Sequence, residues 1–454
     1  MQPPTIDSRP LWRSLLHLAW PTLIAQAAVM LYSIIDTLMA GRISALDLAA
    51  VGIGASMYAT LFITLMGVLF AMTPIVAHHY GAGRRREIGA DVRQSVWLAA
   101  VLSVLALLML NYPQPLLWLS RLESETEVKV RAYLAAVSWG VPGVLLFRVF
   151  FGLTTGIGRP RPVMVLNLIG LALKILGNLL LMFGAFGLPA MGAVGAGMST
   201  AVSMWALALL SWWWCRREPT YAPYAVFERF DWPNWPAQRE LLRQGLPIAG
   251  AFLIDVSTFT LMALFIARLG ALWSAAHQIA ASLAVFCFIA PLSLGHATSV
   301  LVGQSLGAGN RERAAAVARL GIRVALLWGL VVAVLILLSA PALAAAFTTD
   351  AEVRRAAIPL IMLLAIFQLG DAAQGVISQI LRGYKRPLAA MVILVLPMWG
   401  VGLAGGYVLA FTDWLGAPLG ARGFWITESA GMMLAAAGMW LYFRHIAQLN
   451  THSS

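Results

Sequence analysis

The sequence predicts an all-α polytopic membrane protein with twelve transmembrane helices in two parallel six-helix repeats. Three observations carry that expectation: a composition too apolar for a water-facing surface, twelve apolar runs of spanning length, and a likeness between the two halves. Of 454 residues, 60% are hydrophobic and 11% charged, against the roughly 25% charged residues of soluble domains. A hydrocarbon core of about 30 Å needs about 20 apolar residues per helix. Such runs lie near 14–40, 46–73, 93–111, 132–153, 163–186 and 191–214, then 242–267, 273–302, 317–338, 356–379, 388–411 and 424–443.

The first run follows Arg9 and Arg13 as a signal peptide would. It is too long for one, and it continues through Asp36 into a pattern that recurs later. Tight turns at Gly81-Ala82-Gly83 and Gly307-Ala308-Gly309 join spans on one face, where glycine permits positive φ. Neither turn has the strand before it or the Lys-Ser/Thr after it that a phosphate loop requires.

The halves align along their length. WPTLIAQAAVML (20–31) faces LPIAGAFLIDVS (246–257), an offset of 226 positions, and HHYGAGRRREIGADVRQS (78–95) faces QSLGAGNRERAAAVARLG (304–321). GIGRPRP (156–162) matches RGYKRP (382–387) with one residue of slippage. Six spans per repeat keep both halves in one orientation, a plan characteristic of secondary transporters, whose substrate site lies where the repeats meet. The domains are therefore residues 1–215, an N-terminal lobe, and 241–454, a C-terminal lobe. Residues 216–240, rich in proline, aromatics and charge, form a cytoplasmic linker.

A net charge of +12 raises the question of nucleic acid, but its placement answers it. With the N-terminus inside, 21 of the 31 Lys and Arg fall on the inner side and eight on the outer. That is the positive-inside pattern, and it makes both termini cytoplasmic. Only Arg148 and Lys174 remain within spans. Cys215 and Cys287 fall in different spans and suggest neither a disulfide framework nor a metal centre.

Asp36, Asp255 and Asp371 are the candidate cation- or proton-coupling residues, being the carboxylates read as deepest in the spans. At 1.5 Å per residue, Asp371 lies about 16 Å from Arg382 and Asp255 about 18 Å from Arg243, near the midplane. A carboxylate there takes a proton near neutral pH or keeps its charge by binding a cation. The bland alternative is a structural polar contact, with Ser257 and Thr258 serving Asp255, and Gln368 and Gln374 serving Asp371. Asn167, Lys174 and Asn178 form one polar stripe. Lys174 reaches the depth of Asp36, and we expect the two to pair, since either charge alone is expensive there. His277 opens the eighth span, where it can shuttle protons or bond between helices. Aromatic and Met side chains suit bulky organic cations.

The residues PTLIAQ…IIDTLMAGRIS (21–44), AAHQIA (275–280), ATSVLVGQSLGAGN (297–310) and FQLGDAAQGVISQILRGYKRP (367–387) resemble the multidrug and toxic compound extrusion (MATE) transporters, most closely the NorM-type branch. The resemblance covers nearly the whole chain. It implies a V-shaped two-lobe bundle, multi-pass in the cell inner membrane and monomeric. It implies export of cationic amphiphilic drugs and dyes in exchange for H+ or Na+, with no other cofactor. Asp36, Asp255 and Asp371 match the branch's acidic places in spans one, seven and ten. Lys174, Asn178, Asn167, Phe367, Gln374 and His277 are the candidates to line or support the substrate cavity. Three places depart from the branch: Asp255 where Glu is frequent, Phe367 where relatives can carry Tyr, and Lys174 where Asn is expected. Fewer oxygen ligands favour H+ over Na+.

Two other classes fit the sequence less well. An intramembrane aspartyl protease needs Gly-x-Gly-Asp, whereas the run here is Gln368-Leu369-Gly370-Asp371. A flippase for a lipid-linked saccharide, built on a related fold, usually has a strongly basic cavity.

Overall fold

The computed structural model describes residues 10–114, 117, 124–414 and 416–452. All regular structure among them is helical. The first half comprises α1 (Leu11–Ala40), α2 (Ala45–Leu69), α3 (Met72–Gly81), α4 (Arg85–Asn111), α5 (Ser124–Ser138), α6 (Val141–Gly156), α7 (Arg161–Gly177) and α8 (Gly192–Arg217). The second comprises α9 (Trp235–Ala267), α10 (Ala271–Gly307), α11 (Arg311–Phe347), α12 (Ala351–Gly383), α13 (Pro387–Val395), α14 (Gly405–Phe411) and α15 (Ala421–His452).

Each of the twelve apolar runs falls on helix. Ten helical stretches are long and apolar enough to cross a membrane, and the bent pair α5–α6, angled at 44°, makes an eleventh. The twelfth run is α15, where Thr427, Glu428 and Ser429 lower the apolarity. Two spans contain π-helical turns: Asn178–Met182 after α7, and Leu396–Ala404 between α13 and α14. These are repeat-related spans, five and eleven, and π turns inside α-helices frequently accompany functional sites.

Local chemistry explains the breaks. Ser44 caps α2, its hydroxyl oxygen accepting from the Asp47 amide at 2.9 Å while its hydroxyl donates to Asp47 Oδ2 at 2.6 Å. Asn310 and Asp350 cap α11 and α12 through the amides of Arg313 and of Glu352 and Val353. The expected Gly turns are left-handed at Gly83 (φ 72°) and Gly309 (φ 76°). The exposed side of α11 carries Leu326, Leu327, Leu330, Val331, Val334 and Leu338. Such a face is ordinary against lipid, where the helix already satisfies its own backbone.

By internal contacts the chain divides into two units, the first running from Trp20 to Ala249, the second from Gly250 onward together with α1 up to Ala19. In the first unit α8 packs on α5, α6 and α7. The linker belongs to this unit. It begins with a 3-10 turn, Pro219–Tyr224, and is clasped to α4. Arg93 Nε donates to Asp231 Oδ2 at 2.7 Å, Gln94 Nε2 to the Trp232 carbonyl at 2.9 Å, and Trp97 Nε1 to the Asp231 carbonyl at 2.9 Å. In the second unit α12 is central, packed on α10, α11 and α15. It is buried around its circumference from Leu360 to Gly383, with Met362 and Ile366 among the exceptions. Asp371 therefore has protein, not lipid, for its surroundings.

Candidate exchange site

Two clusters of polar residues lie inside the spans, one in each unit. In the first unit, Lys174 is 1% exposed. Its Nζ lies 2.8 Å from Asp36 Oδ1 and donates to Thr200 Oγ1 at 2.6 Å and to the Ala196 carbonyl at 2.9 Å. Asn178, the first residue of the π turn, donates from Nδ2 to the same Asp36 oxygen at 2.7 Å. The ammonium thus sits among a carboxylate, a hydroxyl and a carbonyl, as a bound monovalent cation would. Asn167 does not join the cluster: its amide donates back to the Val163 carbonyl at 3.0 Å. Its backbone carbonyl accepts from the Tyr32 hydroxyl at 3.0 Å.

In the second unit, Asp371 on α12 and Asp255 on α9 lie within electrostatic reach of each other. The hydroxyls expected to serve Asp255 do not. Ser257 and Thr258 donate to the Ile254 carbonyl at 3.0 and 2.7 Å, the local i−3/i−4 bond that helical hydroxyls commonly make. Asp255 Oδ1 has no hydrogen-bond partner, and neither polar atom of the buried Gln368 has one. Gln374 is buried one turn beyond Asp371. His277 is buried with its ring 5.9 Å from Trp425, and Nδ1 lacks a partner. Phe367 lies edge-on to Trp425 and Phe259, each at 5.9 Å. The aromatic wall of the site is therefore Phe259, Phe367 and Trp425.

Two residues extend the sequence reading. Arg382, on the inner side by the charge pattern, is buried at the end of α12 with its guanidinium 5.0 Å from the Phe252 ring centroid. It acts electrostatically on Asp255. Glu428 on α15 was not among the candidates. It is 1% exposed, its Oε1 has no hydrogen-bond partner, and it lies within electrostatic reach of both Asp255 and Asp371. The available signal was an acid at the fifth position of the apolar run 424–443.

A further ion pair, half-buried, links Lys129 Nζ to Asp47 Oδ1 at 2.9 Å and ties α5 to the start of α2. Asp47 also accepts from the Ala193 amide at 3.0 Å, which makes it a structural acid. Hollows of about 590 and 860 Å³ in the first unit are lined mainly by apolar side chains, the smaller one also by Arg93, Arg229 and Asp231 of the linker clasp, and include no residue of either cluster.

A helical membrane protein built from two parallel repeats, with acids buried in its bundles, has the design of a secondary transporter. The MatE family model matches residues 21–180 and 247–408, one stretch in each repeat, and the chain belongs to this MATE family of transporters. A relative from Shewanella oneidensis named "Probable multidrug resistance protein NorM" is 36% identical, covering 97% of this chain and 96% of its own. A protein of the same name from Aromatoleum aromaticum is 40% identical over 87% and 86%. The crystal structure described as MATE in the bent conformation superposes with a TM-score of 0.90 at 19% identity, covering 100% of this chain and 99% of that one. Membership in a transporter family sets aside the protease reading of Asp255 and Asp371.

Proposed function

We propose that the protein is a multidrug efflux antiporter. It exports cationic, lipophilic drugs and dyes in exchange for H+ or Na+ by alternating access. It works as a monomer in the cell inner membrane with both termini in the cytoplasm. The observation that carries this reading is the pair of intramembrane acids, Asp371 buried on α12 and Asp255 half-buried on α9 with its Oδ1 buried and unpartnered. The names of the relatives, multidrug resistance proteins, support the substrate class.

Cationic drug and coupling ion compete for the same carboxylates beside the aromatic wall. An ion moves the equilibrium between inward and outward states only by its differential affinity for the two. Phe367 brings no oxygen to the site, which favours H+ over Na+. Lys174 and Asp36 form the first unit's counterpart, with an internal ammonium already in place. The flippase alternative lacks its basic cavity: Lys174 is paired with Asp36, Arg382 faces Asp255, and Arg148 lies between the rings of Phe70 and Phe151, at 3.4 and 3.8 Å. Liposome transport of a cationic dye, driven by pH or Na+ gradients with lipid translocation followed in parallel, tests the proposal. Dye movement without lipid movement is the expected result.

A further inference from the structure

Glu428 faces the π-helical stretch Leu396–Ala404, and a Cβ at Gly402 would strike its Oε2. The neighbouring Thr427 donates to the Gly402 carbonyl at 2.7 Å, holding α15 against the stretch at this point. Glycine at 402 thus leaves open the space that the carboxylate occupies. The first unit has the same plan. There the π turn begins at Asn178, and span six supplies Thr200 to the Lys174–Asp36 pair. An offset of about 226 puts Glu428 within three residues of Thr200's place. In the second unit the hydroxyl near that place, Thr427, is followed directly by an acid.

The charges around Glu428 can be named element by element. Helix α12 carries Asp371 and, at its end, Arg382; α9 carries Asp255; α10 carries His277, Cys287 and His296; α14 carries Tyr407. The stretch 396–404 has no titratable side chain, and those of α11 lie at or before Arg323. Trp425, three residues before Glu428, lies edge-on to Phe367, four before Asp371, and a Cβ at Gly370 would strike the Met433 amide, so α15 lays Glu428 along α12 beside Asp371. Three carboxylates there stand against the one guanidinium of Arg382, and the cluster is short of two positive charges. In a low-dielectric interior such a deficit is filled by bound cations or protons.

We propose that Glu428 is a third acid of the exchange site, pairing with Asp371, so that the site holds two monovalent positive charges and accepts dications as well as monocations. This rests on the antiporter reading above. A monocationic substrate displaces one bound charge and a dication two, which leaves the cluster neutral in each case. Protons and alkali ions are the two sources of that charge.

The test uses purified full-length protein and two dyes with one ring system, monocationic ethidium and dicationic propidium. Charge released per dye bound is read with a pH indicator in Na+-free choline buffer, and with a Na+-sensitive probe in NaCl. The arm that responds identifies the ion. Wild type is expected to release one equivalent with ethidium and two with propidium. Glu428→Gln is nearly isosteric; it is expected to release one with propidium and to bind it about tenfold or more weaker, the scale of losing a charged partner. Its ethidium affinity should stay within about threefold, well inside that scale. Glu428→Asp, which keeps the charge, should restore the second equivalent. If Glu428→Gln releases as much as wild type, or weakens both dyes alike, Glu428 is only a structural acid. If wild type releases no charge with either dye, the antiporter reading itself fails.

Discussion

Replacing Lys174 with methionine removes the ammonium and keeps most of the side chain's volume. Lys174 is 1% exposed and Asp36 7% exposed, so the substitution strands a carboxylate inside the first unit. Removing one partner of a buried pair typically costs about 3–5 kcal/mol. Asn178 still donates to Asp36 at 2.7 Å, and a hydrogen bond to a charged group is worth about 1.5–3 kcal/mol. The expected loss is therefore at the lower end, about 3 kcal/mol. Adding Asp36→Asn removes the stranded charge and should return most of that loss, with an interaction energy of about 1–3 kcal/mol in the double-mutant cycle. Unfolding in mixed micelles titrated with a denaturing detergent measures all four proteins. If Lys174→Met stays within about 0.5 kcal/mol of wild type, or the two substitutions are additive, the pair does not hold the first unit as described.

Other outcomes follow from the same geometry. Lys385 has φ 56° at the turn after α12, where the repeat-related residue is Gly158 at φ 82°; Lys385→Gly should stabilise the protein by about 1 kcal/mol in the same titration. Hydrogen bonding from Arg93 holds the Asp231 carboxyl below its ordinary value, with help from Arg229. A depressed carboxylate contributes at neutral pH, and its contribution is lost as pH falls through the folded value. The linker clasp should thus survive to below about pH 3.9, read as hydrogen-exchange protection of residues 225–234 corrected for intrinsic rate. Asp231→Asn should lose that protection already at pH 7. Arg382→Met removes the guanidinium that acts on Asp255 and should impair gradient-driven dye transport at unchanged expression, read in proteoliposomes.

The spans were legible because lipid enforces one rule: every crossing segment is a long apolar run. The left-handed turns at Gly83 and Gly309 were legible because the repeat prints them twice. Asn178 could be placed near Asp36 from depth and helical spacing. Asn167 shares that stripe, but its amide donates to its own helix's Val163 carbonyl. The approach of Arg382 to Asp255 was not legible. The residues stand far apart in sequence, and an arginine at a helix end reads as solvated until packing shows it under Phe252. Glu428 was hidden differently. Its depth depends on how α15 seats against the π-helical stretch at Gly402, and hydropathy carries no signal for that contact.

The central claim is that intramembrane carboxylates of the second unit exchange an ion for cationic substrate. The most direct test is dye transport into proteoliposomes under a pH gradient alone and under a Na+ gradient alone, with wild type, Asp371→Asn and Asp255→Asn. The account predicts that wild type responds to an ion gradient, more strongly to pH than to Na+, and that both variants lose gradient-driven transport. Variants that transport like the parent under both gradients would contradict it.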